Sequence, residues 1–321
     1  MVLVPERRAD DGRCYKPHWE RIFNSIIGGL FMESLIPRGS VLDAGAHTGN
    51  ACCFFASVAP ERTVHAIEPL DDNVRLIRER FGNLTNLKIL HGGLGVRDEL
   101  LDITAASPPG AGKQVDKRWF DLNSAGSKAA GPTAPTFPTG SPTPADRKKK
   151  LHVHRVDTLF HPQHGHWRGE SLGFVSFDVE GSELDVVRGA RATLARDQPV
   201  LAVEAFTQSR NDGELLSEIK QLGYETYLVE EGCGYNFDCR NVLCIPTSRL
   251  RSFYESHTLD LAAASGRLRA VNASSLRQYG AGWKPFKADR VHRMYGEGTP
   301  NFEALSLMHR GIKFEPTRVR P

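Results

Sequence analysis

The chain has 321 residues, a formal net charge of +3, 40% hydrophobic residues and 25% charged ones. This is an ordinary globular composition, with length for one large α/β domain or two small ones. A balance so close to neutral gives no basis for nucleic-acid binding. No apolar run approaches the roughly 18 residues of a membrane span, and the first residues lack the apolar core of a secretion signal. A cytoplasmic protein with no membrane or nucleic-acid partner is therefore expected. The six cysteines, at 14, 52, 53, 233, 239 and 244, form no Cys-x-x-Cys. They are expected to be reduced structural thiols, with the adjacent Cys52 and Cys53 packing rather than pairing.

Residues 1–38 read as a partly helical cover for the mouth of a binding site. The main domain follows over 39–250. It opens with Val-Leu-Asp-Ala-Gly-Ala-His-Thr-Gly-Asn at 41–50, a buried strand passing through a glycine turn into a helix. Asp43 ends the strand, Gly45 begins the turn, and Gly49 stands at the helix start. A second apolar strand at 64–69 ends on Glu68, 25 residues after Asp43, the length of one strand–helix–strand unit. A carboxylate there suits the hydroxyls of a ribose, so an adenosine-containing cofactor is expected.

Glycine spacing separates the possible cofactors. A dinucleotide turn needs Gly-x-Gly-x-x-Gly to approach a pyrophosphate, whereas Gly45 and Gly49 are four apart and His47 stands where a second glycine belongs. Asp43 also sets a negative charge at the turn, favouring a cationic ligand. S-adenosylmethionine carries a sulfonium, an ammonium and no phosphate. It is expected at Asp43, Gly45, Ala46, His47, Thr48, Gly49 and Glu68. The competing reading is a non-catalytic or NAD-type nucleotide-binding module on a Rossmann-like scaffold.

Asp71 reads as an N-cap before a helix carrying Val74, Ile77 and Phe81, and Leu87–Leu90 reads as a strand. Residues 128–150 are rich in Ser, Thr, Pro, Ala and Gly and end in Asp-Arg-Lys-Lys-Lys, a composition predicting a disordered insertion. The histidines at 152, 154, 161, 164 and 166 follow it and read as solvated, so no metal site is expected. Phe174 to Glu180 reads as a central strand ending in carboxylates. Ser182 with Asp185 has the spacing of a capping box. A strand at Val200–Ala205, a helix at Glu214–Leu222 and a hairpin of Tyr224–Val229 with Asn241–Ile245 complete the alternation. This order predicts a doubly wound, mostly parallel α/β sheet with an antiparallel strand near its end. Residues 251–321 are polar, weakly periodic and carry no assignable role.

Several blocks together resemble the FkbM-type methyltransferases, a branch of the class I S-adenosylmethionine-dependent enzymes. They are Val41–Asn50, Ala66-Ile-Glu-Pro69, Asn123-Ser-Ala-Gly-Ser127, Val156-Asp-Thr-Leu159 and Phe177-Asp-Val-Glu-Gly-Ser-Glu-Leu184 running on to Arg188-Gly-Ala190. The likeness covers about 40–246, with His47 in place of the family's common asparagine. It implies methyl transfer, usually to oxygen, on small or glycosidic acceptors. Asp178 and Glu180, two apart on the strand, are expected on one side of it as the catalytic pair. Glu204 at the next strand end, with Asn123 and Ser127 from the family motif, are expected to contact substrate.

Overall fold

The computed structural model describes residue 14 and residues 21–103, 149–206, 210–232 and 239–276. Asn123, Ser127 and most of the 128–150 insertion lie outside these residues.

Eleven strands are present among the described residues: β1 (Ser40–Ala44), β2 (Val64–Glu68), β3 (Leu87–His91), β4 (Gly93–Leu94), β5 (Glu99–Ile103), β6 (Lys149–His154), β7 (Leu172–Phe177), β8 (Val200–Phe206), β9 (Tyr224–Gly232), β10 (Cys239–Pro246) and β11 (Leu268–Ala270). Eight form one sheet in the order β11-β9-β10-β8-β7-β1-β2-β3. β1 pairs in parallel with both β2 and β7, β2 with β3, and β7 with β8. β10 is antiparallel to β8 and β9, and β11 is antiparallel to β9. The expected hairpin is present, and β10 inserts between its partner and the parallel strands. The chain builds outward from β1 to β3, then returns to place β7 on the other flank of β1. That reversal opens a crevice at the carboxyl ends of β1 and β7.

The central strands are apolar on both faces because helices cover both. One core holds Leu42, Ile67, Val175, Phe177 and Val203 beneath α4 (Val156–Leu159), α5 (Glu183–Gly189), α6 (Arg191–Asp197) and α7 (Arg210–Gln221). The other holds Val41, Ala66, Phe174 and Leu243 with apolar residues of α1 (Arg21–Met32), α2 (Asn50–Val58), α3 (Asp71–Phe81), α8 (Leu250–Phe253) and α9 (His257–Ala264).

Several local expectations are corrected. Of the expected cover, residues 1–13 and 15–20 lie outside the described residues, and helix α1 packs on a face of the sheet: Phe31 meets Phe174 edge-on, and Ile22, Ile26, Ile27 and Leu30 are buried in the core. Its start is held by Glu231, whose carboxylate accepts from the N–H of Ile22 at 2.9 Å and of Phe23 at 2.9 Å. A carboxylate there satisfies otherwise unpaired donors at the positive end of the helix dipole. Asp71 is the first helical residue rather than the cap, which is Leu70. The basic end of the insertion is structured, since Lys149 and Lys150 belong to β6 and pair with Ile103 and Asp102 of β5. Packed structure also continues past 250, with α9 against α1 and β11 on the sheet edge. Cys14 and Cys53 form a disulfide, so these two thiols are not reduced, whereas Cys52 and Cys244 are free and buried. The pairing was not legible because Cys14 reaches α2 only through the tertiary fold.

At the amino edge of the sheet, Ser40 Oγ donates to Glu170 at 2.6 Å and His65 Nε2 meets the same carboxylate at 2.7 Å. The His65 ring is wholly buried against Trp167 and Phe160. Burial pulls His65 down to about 4. Burial alone would raise Glu170, but hydrogen bonds from Ser40, His65 and Lys88 outweigh it and hold the carboxyl at about 2. Near neutral pH the contact is therefore a neutral imidazole donating to a carboxylate.

Candidate active site

The site is organised by the turn between β1 and α2. Gly45 has φ +84, His47 φ 49 and Gly49 φ 86, so three of five consecutive residues are left-handed. Histidine is among the few non-glycine residues enriched in that region, which accounts for its tolerance at 47. A Cβ on Gly45 would lie 1.7 Å from the Asp178 carbonyl oxygen, so only glycine lets the β1 turn and the β7 loop touch. The N–H of Asp178 reciprocates by donating to Ala44 O at 3.0 Å. Gly45 and Ala46 donate to Ile67 O, and Gly49 donates to Ala46 O.

Glu68, 2% exposed, ties this turn to β2. Its Oε2 accepts from the His47 N–H at 2.7 Å, and its Oε1 accepts from the Leu70 N–H at 3.0 Å and from Asn73 Nδ2 at 3.1 Å. Burial raises its carboxyl above the usual range against the pull of those donors. On the outer side of the turn Arg80 donates to Thr48 O at 3.0 Å and to Asn50 Oδ1 at 3.2 Å while resting on the Phe81 ring. Asp43 is buried at the end of β1, close enough to Cys52 to help raise that thiol, though burial is the larger cause.

On the other flank the expected pairing of Asp178 with Glu180 on one strand face does not occur. β7 ends at Phe177, and Glu180 has φ 55, so strand alternation no longer applies to either carboxylate. Asp178 instead meets Glu204. β7 and β8 are in register at Phe177 and Val203, and the next residue of each is the carboxylate. Glu204 is buried and hydrogen-bonded to Asp178. Burial first, then the charges of Asp178, Glu183 and Glu180, push it far above the carboxylate range.

The expected Ser182–Asp185 capping box is absent: the Ser182 side chain makes no capping bond. Glu183 instead holds the preceding loop, accepting from the N–H groups of Val179 at 2.9 Å and Gly181 at 3.1 Å. Burial lifts Glu183 to about 7, with nearby Asp212 adding to the rise. Glu183 lies inside the quoted Asp-Val-Glu-Gly-Ser-Glu block, yet nothing local distinguishes it as the loop's clamp. Asn241, buried and paired with Glu204 across β8 and β10, gave no signal in the sequence either. The His152–His154 and His161–His164 rings stack in pairs, and no group of three or more His, Cys, Asp or Glu suited to a metal occurs among the described residues.

The strand order with its reversal beside β1, the glycine turn and the acidic β2 end together define a class I methyltransferase fold. The chain matches the Methyltransferase FkbM domain over residues 43–226, more than half its length, and belongs to that family. No curated protein matches it in sequence. Among solved structures it is similar to methyltransferase FkbM from Methylobacillus flagellatus KT, at 14% identity over 75% of this chain, with a TM-score of 0.40. The chain covers 58% of that protein's length. It is similar to the precorrin-6y C5,15-methyltransferase of Geobacter metallireducens GS-15 at 10% identity, covering 76% of this chain and 98% of that one, with a TM-score of 0.37. It is also similar to Aeropyrum pernix fibrillarin, solved with natively bound S-adenosyl-L-methionine, at 13% identity, covering 70% and 76% of the two chains, with a TM-score of 0.36.

Proposed function

We propose that this chain transfers a methyl group from S-adenosylmethionine to a hydroxyl oxygen of a small-molecule or glycosidic acceptor. The observation that carries the reading is the gathering of Asp43, Glu68 and Asp178 on the carboxyl-terminal side of β1, β2 and β7, around the Gly45–Gly49 turn. Such a site repels a pyrophosphate and suits a cationic ligand. The residues present fit the cofactor. Glu68 uses three acceptor positions out of roughly four on a carboxylate, leaving capacity for a ribose hydroxyl. Asp43, Gly45, Ala46, His47, Thr48, Gly49 and Glu68 would hold it. When bound, it supplies an electrophilic methyl on a cationic sulfur.

Methyl transfer is an in-line displacement, so the protein's first task is alignment, and a hydroxyl acceptor gains further from a nearby base. Asp178 and Glu180 are the candidates, with Asp178 fastened by its own backbone to the cofactor turn. The near-neutral net charge supports an acceptor other than nucleic acid. No helix among the described residues is long and apolar enough to cross a membrane. Disulfides such as Cys14–Cys53 are rare in the cytosol, which counts against a cytoplasmic setting.

Calorimetric titration with S-adenosylhomocysteine and with NAD tests the cofactor. Binding of the first and not the second is expected, and the reverse ends the reading. Transfer of tritiated methyl groups into a fractionated lysate tests the acceptor. Label in small molecules or glycans is expected, and label in RNA or protein refutes the acceptor class.

A further inference from the structure

We propose that Asp178 and Glu204 act as one proton-sharing pair, with Asp178 taking the acceptor's hydroxyl proton and Glu204 as the positioning residue that holds Asp178 and shares its charge. This deepens the O-methyltransferase reading and rests on it.

The pair follows from the sheet. β7 and β8 are adjacent, parallel and in register at Phe177 and Val203, so Asp178, the first residue past β7, comes beside Glu204, which continues in β8. Glu204 is 6% exposed and hydrogen-bonded to Asp178. Ionised carboxylates are acceptors only, so a hydrogen bond between two of them requires a proton on one. The more buried member, Glu204, is the natural holder, because a buried ion beside like charges is costly. Its neighbours reinforce this. Glu180 and Glu183 press on it from the loop after β7 and from α5, and Asp212 of α7 acts on Glu183. Across the sheet Asn241 of β10 faces Glu204 on the same side, while Arg240, paired with Ala205, belongs to the opposite side.

As methyl transfer proceeds, the acceptor's O–H bond breaks and its proton passes to Asp178. The freed electron pair on oxygen becomes the new oxygen–carbon bond, and the carbon–sulfur pair stays with sulfur. The singly negative Asp178–Glu204 pair becomes neutral as the positive charge on sulfur is lost. Removing both charges together is favoured where water is scarce, since isolated ions there are costly. Asp178 alone could take a proton. With Glu204 protonated beside it, the site avoids a second buried negative charge and keeps one carboxylate oriented.

The test is infrared spectroscopy of the full-length protein with ¹³C-labelled side-chain carboxyls, which needs neither cofactor nor acceptor. At about pH 8.5, above the Glu183 value of about 7, one protonated carboxyl band should persist. Glu204→Gln should abolish it, Glu204→Asp should retain it, and Glu183→Gln should leave it in place. In the methyl-transfer assay Glu204→Gln should lower kcat by roughly tenfold or more and alter its pH profile, with S-adenosylhomocysteine affinity little changed and Glu204→Asp giving partial rescue. Absence of the band in the wild-type protein, or its survival in Glu204→Gln, overturns the pair while leaving O-methylation standing. An unchanged kcat–pH profile in Glu204→Gln also overturns it. Transfer to nitrogen or carbon instead of a hydroxyl is the separate failure of the underlying reading.

Discussion

Replacing Gly45 with alanine tests the contact that joins the turn after β1 to the loop after β7. The residue has φ +84, and an added Cβ would meet the Asp178 carbonyl oxygen at 1.7 Å. Left-handed backbone costs an alanine about 1–2 kcal/mol. The obstacle is backbone, so no side-chain rotation relieves it. The β7 loop must move, at about 1–3 kcal/mol by analogy with overpacking. That movement also endangers the Asp178-to-Ala44 hydrogen bond, a net loss of about 1 kcal/mol. A stiffer unfolded chain returns about 0.4–1 kcal/mol. The net is about 4 kcal/mol, which for a domain of this size lowers Tm by roughly 8–16 °C. Gly181 is the internal control: it has φ +99 but nothing within 4 Å of its Cβ position, so Gly181→Ala should cost only about 1 kcal/mol. Thermal denaturation of the full chain, paired with S-adenosylhomocysteine titration, reads both effects. Equal Tm shifts for the two variants, or unchanged affinity in Gly45→Ala, would refute the reasoning.

Opening the Cys14–Cys53 disulfide frees a link between residues 39 apart, for which loop entropy gives an upper estimate of about 4 kcal/mol. Cys14→Ser, or the wild type under reductant, should therefore melt earlier, and an unchanged Tm shows the bond does not constrain the fold. His65 falls from 6.5 to about 4 on folding, so between those values the unfolded chain binds the extra proton. Its stabilisation is complete above pH 6.5 and disappears as pH falls to about 4, on the order of 3 kcal/mol in all. Urea titrations of His65→Gln should show a shallower stability slope across that window, and a slope equal to wild type contradicts the assignment. Glu231→Ala strips the start of α1 of its carboxylate and should cost about 1–2 kcal/mol, with faster amide exchange in α1. Exchange unchanged in α1 would mean solvent replaces Glu231 without loss.

Much of the fold was legible in order along the chain. Val41–Ala44, Val64–Ile67 and Leu87–Leu90 announce themselves as strands, and Val74, Ile77 and Phe81 mark one face of a helix. Gly45 and Gly49 identify the turn, and Asp43 and Glu68 stand out as carboxylates at strand ends. All these signals depend on neighbours within a few residues, through side-chain periodicity and backbone stereochemistry, so a single sequence carries them.

The site's working contacts depend instead on which strands become adjacent and at what register. Asp178 was expected to work with Glu180, two residues away. The strand ends one residue before Asp178, and Glu180 turns left-handed. Pairing of β7 with β8 brings in Glu204 from elsewhere in the chain. The clamp formed by Glu183, the disulfide from Cys14 and the Glu231 grip on α1 are of the same kind, the last spanning 209 residues. A charged or sulfur-bearing side chain has the same local sequence signature whether it faces water or a distant partner. Only the folded sheet chose the partner, and through burial it set the protonation on which the proposed chemistry depends.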